Sequence, residues 1–396
     1  MRVDLHVMTP AARVQTAIEC LDAIIAGQAA EQVLTRWARG ARHAGSKDRA
    51  AIRDLVFDVL RRWWSSAARG QGESGRARMI GYLAEEGADL PSIFSGAGYG
   101  PAALQPAERE TAEPHGLAAL DCPAEFETDL RTSLGSDFNG VLSNLRHRAP
   151  VFLRVNLRKA SVQDTMDRLA GEGITTRPSG LSPTAIEVTE RPRAVARSAP
   201  YLDGTVELQD AASQAVVDFL PLDGARRILD YCAGGGGKTL AMAARHDALY
   251  HAHDIDRRRL EALVPRAKRA ETSIGLRDAA DLEAEKPYDL VLVDAPCSGS
   301  GAWRRSPEGK VRLDRARFDE LRNLQSDILT RAAAHVAPGG VLCYATCSLM
   351  DAENGAQVED FICKNTGFSR HCERRWTPLD GADGFFVSVL FRDKTA

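Results

Sequence analysis

The apolar positions of this chain change period near Pro150, and the change divides it. Over residues 10 to 66 they recur three and four apart. Val14, Ala17, Ile18, Leu21 and Ile24 or Ile25 make one face behind a start at Thr9 and Pro10, and Ile52, Leu55, Val56, Val59 and Leu60 make another. Helices that bury a single stripe have this spacing. Residues 70 to 116, with S-G-A-G-Y-G-P and Q-P-A-E-R-E, read as turns between short helical pieces, and residues 123 to 147 return to helix. From Pro150, P-V-F-L-R-V-N reads as a strand, S-V-Q-D-T-M-D-R-L-A-G-E-G as a helix stopped by Gly171 and Gly173, and T-A-I-E-V-T as a strand. V-E-L-Q-D-A-A-S-Q-A-V-V-D-F-L then reads as one helix, capped by Asp210 or Ser213.

Beyond it strands and helices alternate to the end. Ile228 and Leu229 stop at Asp230, Ala252 to Asp256 closes a strand with Asp254, and Asp278 closes the next. Tyr288 to Cys297 is an apolar strand ending in Asp294, Pro296 and Cys297; Gly339 to Ser348 is another, ending in Cys347; G-F-F-V-S-V-L-F-R is the last. Alternation of this kind predicts an α/β fold with a parallel sheet and right-handed crossovers. The polar residues named here all fall at carboxyl ends of strands, where open α/β sheets bind ligands.

One of these strands runs into four glycines, in R-I-L-D-Y-C-A-G-G-G-G-K-T. A phosphate-cradling loop needs a glycine five before Gly237, where Cys232 stands, and a dinucleotide fingerprint begun at Gly234 would need one at Thr239. S-adenosylmethionine is the remaining ligand for such a turn, set against a tight turn that binds nothing. Asp254, about 20 residues on, is placed to accept from ribose hydroxyls.

Composition narrows the setting. With 396 residues and 44% hydrophobic content the chain can bury more than one core. The net charge of −3 conceals segregation: residues 1 to 72 carry 11 basic and 7 acidic side chains, residues 73 to 143 carry 4 and 12, and residues 144 to 197 carry 10 and 5. The first and third stretches are therefore candidate contacts for a polynucleotide backbone, with solvated helix faces as the alternative. Arg49, Arg53, Arg61 and Arg62 make a row that phosphates would fit, and Trp63 or Trp64 stacks on a base or closes the core. Eight cysteines with no C-x-x-C pair argue against a disulfide framework or structural metal. The first ten residues lack the apolar run of a leader, and no stretch of about 18 apolar residues occurs. A soluble cytoplasmic monomer without metal is expected.

Cys297 and Cys347 remain to be explained. Carbon 5 of cytosine is a poor nucleophile until a thiolate adds to carbon 6 and makes the ring enamine-like; a base then removes the carbon 5 proton and elimination frees the enzyme. A free thiol has a pKa of about 8.5 and needs a cationic or hydrogen-bonding neighbour, for which Lys238 is the candidate.

Together these stretches resemble the RNA (cytosine-5) methyltransferases, in particular the bacterial RsmB type acting on small-subunit ribosomal RNA. The loop C-A-A-P-G-G-K-T of that family stands here as C-A-G-G-G-G-K-T, D-A-P-C-S-G-x-G as Asp294 to Gly301, and T-C-S-x4-E-N as Thr346 to Asn354. Ser306 also departs from the family's usual His or Asn. The likeness covers about Leu208 to Arg392, with D-G-F-F at Asp383 to Phe386; K-D-R-A-A-I-R-D-L-V-F-D-V-L-R is similar, more weakly, to a NusB-like helical domain.

The resemblance implies a helical NusB-like RNA-binding domain over residues 1–147, loop-rich at 70–123. A small α/β RNA-binding subdomain follows over 148–205, then a Rossmann-like class I methyltransferase domain with a mostly parallel sheet over 206–396. It implies Cys347 as nucleophile and Cys297 as the thiol that assists release, with Asp294 and Lys238 completing the catalytic group. Cys232, Ala233, Gly234, Gly235, Gly236, Gly237, Lys238, Asp254, Asp278 and Asp294 are implied around S-adenosylmethionine. The resemblance also implies that Asp294 faces the target cytosine or the donor. Arg304 and Arg305 are placed near the pocket mouth to meet RNA phosphates, with salt bridges to acids such as Glu308 as the alternative. The implied substrate is ribosomal RNA ahead of transfer RNA; a non-catalytic RNA-binding assembly factor is the contrasting possibility.

Overall fold

The computed structural model describes residues 8–394; the front of the stretch read for a leader lies outside them. The chain forms two compact units, each discontinuous in sequence.

The first unit takes residues up to Thr128, Ser136–Arg148 and Trp303–Arg312, and it is helical. Thr9 caps helix Pro10–Ile25 by accepting from the Ala12 amide at 3.1 Å. The predicted stripe is the core: Val14, Ala17, Ile18, Leu21 and Ile24 are buried against Ile52, Val56, Val59 and Leu60, while Ile25 is exposed. An 11-residue helix, Gly75–Glu85, interrupts the loop-rich segment because Ser74 caps it and Met79, Ile80 and Leu83 reach the core. Asp121 ties the remaining loops down, accepting from the Trp64 and Ser65 amides, the Ser65 hydroxyl and Arg146 Nε. The arginine row does not form a free phosphate-facing strip. Arg49 donates to the Ala41 carbonyl, Arg53 pairs with Glu31, Arg61 with Asp58, and Arg62 with Glu86. Trp63 is buried beneath Arg78, so for this tryptophan the core reading is the observed one.

The second unit contains two sheets. Strands β1 (Val151–Val155), β2 (Thr176–Pro178), β3 (Ala185–Val188) and β4 (Val206–Leu208) form an antiparallel sheet in the order β2-β3-β1-β4. Residues 206–208 are thus a strand and not the first turn of a helix: Val206 faces the small core with Leu153, Val155, Leu169 and Ile186. The helix starts at Ala211, where Asp210 accepts from the Ala212 amide.

The larger sheet holds β5 (Arg227–Asp230), β6 (Leu249–Ala252), β7 (Ile274–Leu276), β8 (Tyr288–Asp294), β9 (Val336–Thr346), β10 (Phe368–Trp376) and β11 (Phe385–Arg392), in the order β10-β11-β9-β8-β5-β6-β7. From β7 to β9 every pairing is parallel, and β11 and β10 close the edge antiparallel. Successive side chains alternate between two buried faces. Ile228, Leu290, Leu292, Cys343 and Ala345 pack with the helices Ala211–Asp218 and Gly237–Ala243, and Leu229, Val291, Val293, Leu342 and Tyr344 with Leu329, Ala332, Val358 and Phe361. Burial on both faces is why β8 and β9 read as near-continuous apolar runs. The fold is the Rossmann-like arrangement expected of the catalytic half.

Candidate active site

Parallel pairing carries β8 and β9 to the same level, with Asp294 opposite Ala345, so the two thiol loops leave the sheet side by side. The Ala295 amide donates to the Ala345 carbonyl at 2.9 Å and the Gly301 amide to the Cys347 carbonyl at 2.9 Å. A side chain at Gly301 would strike the Gly384 carbonyl of D-G-F-F at 2.2 Å, so only glycine permits this approach. Between the loops, Cys297 Sγ and Cys347 Sγ stand 3.5 Å apart, both half-buried.

A buried carboxylate braces the loops. Glu353 is fully buried; its Oε1 accepts from the Ser298 amide at 2.8 Å and Gln325 Nε2 at 3.0 Å, and its Oε2 from the Ser298 and Ser348 hydroxyls at 2.5 Å each. Charge-assisted bonds of this kind are what make a buried carboxylate tolerable. The side chain of Asn354 brackets Cys347: Oδ1 accepts from the Thr346 hydroxyl and Nδ2 donates to the Ser348 carbonyl at 3.0 Å. The Cys297 thiol is pushed well up, first by its hydrogen bond with Cys347, then by burial and by the negative charge of Glu353.

Lys238, the expected cationic neighbour of the thiols, is engaged by Asp294. Its Nζ donates to Asp294 Oδ2 at 2.7 Å and lies 4.8 Å from the Phe385 ring centroid. The helix Gly237–Ala243 begins where Gly234 and Gly236 adopt positive φ, and a Cβ at Gly236 would meet Leu263 at 2.2 Å. Asp254 is buried; Oδ2 accepts from the Gly234 amide at 2.8 Å and lies 3.3 Å from Arg259, and Oδ1 accepts from the Asp256 amide at 2.9 Å. Asp278 is exposed just past β7, where its Oδ1 accepts from the Asp281 amide. Cys232 and Ala233 are half-buried beside the glycines, and burial pushes the Cys232 thiol up, reinforced by Asp230, Asp294 and Asp254. The loop, Asp254, Lys238 and Asp294 thus all lie at the carboxyl ends of β5, β6 and β8, linked by the Lys238–Asp294 and Gly234–Asp254 contacts, and Cys297 follows Asp294 by three residues.

Arg304 is buried in the helical unit, where Nη1 donates to Asn144 Oδ1 at 2.8 Å and its carbonyl accepts from Arg61 Nε at 2.6 Å. Glu308 pairs with Arg312 and accepts from the Ala30 amide. Arg305 is exposed. The roles of Ser298, Ser348, Glu353 and Asn354 escaped sequence reasoning although all four stand in the quoted motifs; Gln325 lies in no motif. Among the described residues no group of three or more His, Cys, Asp or Glu side chains could hold a metal ion, and no helix is long and apolar enough to cross a membrane.

Comparison with known proteins places the chain. Residues 217–390 match the family "16S rRNA methyltransferase RsmB/F", and residues 123–195 match its ferredoxin-like domain. "Ribosomal RNA small subunit methyltransferase B" of Xylella fastidiosa (strain 9a5c) is 30% identical over 393 residues, covering 88% of this chain and 92% of that protein. The chain belongs to the RsmB/F methyltransferase family. A relative of the same name from Xanthomonas campestris pv. campestris is 33% identical over 291 residues, 68% of this chain; that match spans 66% of the relative's length, just under two thirds. A methyltransferase homolog protein from Pyrococcus horikoshii shares the fold, with a TM-score of 0.61 at 24% identity, over 70% of this chain and 97% of that one. Within the RsmB/F family frame, the match over residues 123–195 takes in β1, β2 and β3 of the small sheet.

Proposed function

We propose that this chain methylates carbon 5 of a cytosine in small-subunit ribosomal RNA, with S-adenosylmethionine as donor. The observation that carries the reading is the 3.5 Å approach of two thiols from neighbouring parallel strands, one strand ending in the Lys238-paired Asp294. A lone cysteine past a strand is commonplace. Two sulfur atoms 3.5 Å apart, on loops braced by one buried carboxylate, are not required for packing.

This end of the sheet suits the donor on its own chemistry. When bound, S-adenosylmethionine supplies an electrophilic methyl group on a cationic sulfonium. Asp254 retains acceptor capacity beyond its present partners, since a carboxylate has about four lone-pair sites. Exposed Asp278 has an uncommitted oxygen in the same row, and the glycine turn lets backbone come close. Cys232 stays a neutral thiol beside the glycine turn.

The protein's part of the reaction follows. Cys347, its thiol proton lost to solvent, adds as a thiolate to carbon 6 and opens the 5,6 double bond, leaving carbon 5 nucleophilic. Cys297, its thiol pushed well up, keeps its proton during the attack and assists the later elimination, in which solvent base takes the proton from the methylated carbon 5, the double bond re-forms and the Cys347 thiolate leaves carbon 6. Asp294 accepts from the exocyclic amine, which distinguishes cytosine from uracil, and Lys238 holds Asp294 in place. Because a base inside a duplex cannot be reached, the target sits in a loop or is flipped out.

Bisulfite sequencing of total RNA from a deletion strain tests the reading. Loss of one 5-methylcytosine from small-subunit RNA is the expected result. Loss from transfer RNA would move the substrate, and an unchanged methylation map with no heat on titrating S-adenosylmethionine would leave an assembly factor.

A further inference from the structure

The four-glycine turn is held at two of its carbonyls by arginines. Arg154, on β1 of the small sheet and 4% exposed, donates through Nη1 to the Gly237 carbonyl at 2.6 Å and also to Gln209 Oε1. Arg266 donates through Nη1 to the Gly235 carbonyl. Glu207, on β4 opposite Arg154, is buried and fixes Arg266, with Oε2 3.1 Å from its Nε and 3.0 Å from its Nη2; Glu207 Oε1 takes Arg269 at 2.7 Å. Burial pushes Arg154 down to about 10, which leaves it charged at neutral pH.

Four successive glycines lose more backbone freedom on ordering than any other tetrapeptide. A turn of that composition binds well only if something other than its own side chains sets its peptide planes. Guanidinium donors on the carbonyls of Gly235 and Gly237 do so, while Asp254 holds the Gly234 amide. Buried Arg154 and Glu207 spend their charge on this loop and its clamp rather than on the surface of the small sheet.

We propose that Arg154 and Arg266 are positioning residues for the methyl donor: from the small sheet and the helix Leu263–Arg269 they hold the glycine turn in its binding shape and so set donor affinity. This rests on the reading of the turn as the S-adenosylmethionine site.

Arg266 is the residue to change, because Arg154 is buried deeply enough that its loss threatens folding. Titration calorimetry of S-adenosylmethionine into the full chain should show Arg266→Ala weakening binding about tenfold or more, with RNA binding unchanged and Arg266→Lys intermediate. The distinguishing readout is a sign reversal at Gly235. A Cβ there meets Arg266 Nη1 at 3.1 Å, so Gly235→Ala should weaken binding in the native chain. With Arg266 replaced by Ala the space is open, and the same change stiffens the turn and should recover several-fold of the lost affinity. Equal binding by the native chain and Arg266→Ala, or a Gly235→Ala effect of the same sign in both backgrounds, overturns the proposal alone. A native chain giving no heat with S-adenosylmethionine overturns the donor reading as well.

Discussion

Cys297 and Cys347 face each other across 3.5 Å at the ends of adjacent parallel strands, close enough for either sulfur to donate to the other. The proposed reaction gives them different work. Cys347→Ala should abolish both methylation and covalent trapping on RNA carrying 5-fluorocytosine, by about 10³-fold or more, since a missing nucleophile is not replaced by its neighbours. Cys297→Ala should still form the adduct and release it slowly, giving retained RNA on a denaturing gel. Trapping by Cys347→Ala, or no retained RNA with Cys297→Ala, would reverse the roles.

Glu353 bears on the same pair without touching substrate. It is the common acceptor of Ser298 and Ser348, each the residue following a thiol. Removing it leaves several buried donors unmet, at about 1–3 kcal/mol each. Glu353→Ala should therefore lose about 3 kcal/mol or more in urea unfolding. Glu353→Gln keeps the shape but discards the charge, and should fold while trapping 5-fluorocytosine RNA about tenfold more slowly. A Gln variant with native trapping rate would reduce Glu353 to a packing residue.

How far the chain could be read in advance depended on how many faces of an element are buried. β8 and β9 are apolar on both sides and announced themselves, and Asp294, Cys297 and Cys347 came with them as the residues at their ends. β10 went unread because it is an edge strand: Arg370, Glu373 and Arg374 are exposed and only β11 pairs with it. β4 was hidden by its continuity with the helix at Ala211. The partners of Lys238 and Arg304 were not legible. A sequence places a cation near a site but does not say which acceptor lies nearest, and Asp294 claims the one, Asn144 the other. The clamp on the glycine turn was invisible for the same reason, since Arg154 is separated from Gly237 by 83 positions.

Trp303 tests how a short segment six residues past Cys297 contributes to the helical unit. It is 1% exposed, and in the same segment Lys310 Nζ donates to the Arg61 carbonyl at 2.7 Å. Trp303→Ala should cost about 3–5 kcal/mol, the usual range for deleting a buried tryptophan. The loss should fall on the helical unit, seen as faster proteolysis within residues 8–148 and a lower first transition on heating. Native protease resistance there would show that the segment is not part of that unit's core.

Asp230 gives the clearest pH signature. It is 1% exposed, accepts from Thr239 Oγ1 at 2.7 Å through Oδ2, and has no partner for Oδ1. Burial raises it to about 7, with the charges of Asp294 and Asp254 adding and Lys238 opposing. An unfolded aspartate titrates at about 3.9, so between these values the native chain holds a proton that the unfolded chain has released. Stability from this group is therefore complete at low pH and falls as pH rises from about 4 through about 7. At about 1.4 kcal/mol per pH unit, the difference across the window is on the order of 4 kcal/mol. Asp230→Asn copies the protonated form, keeping an acceptor for Thr239. Relative to the native chain it should gain stability between pH 5 and pH 8, measured by urea unfolding at each. Parallel stability curves for the two proteins would mean that Asp230 ionises like an exposed carboxylate.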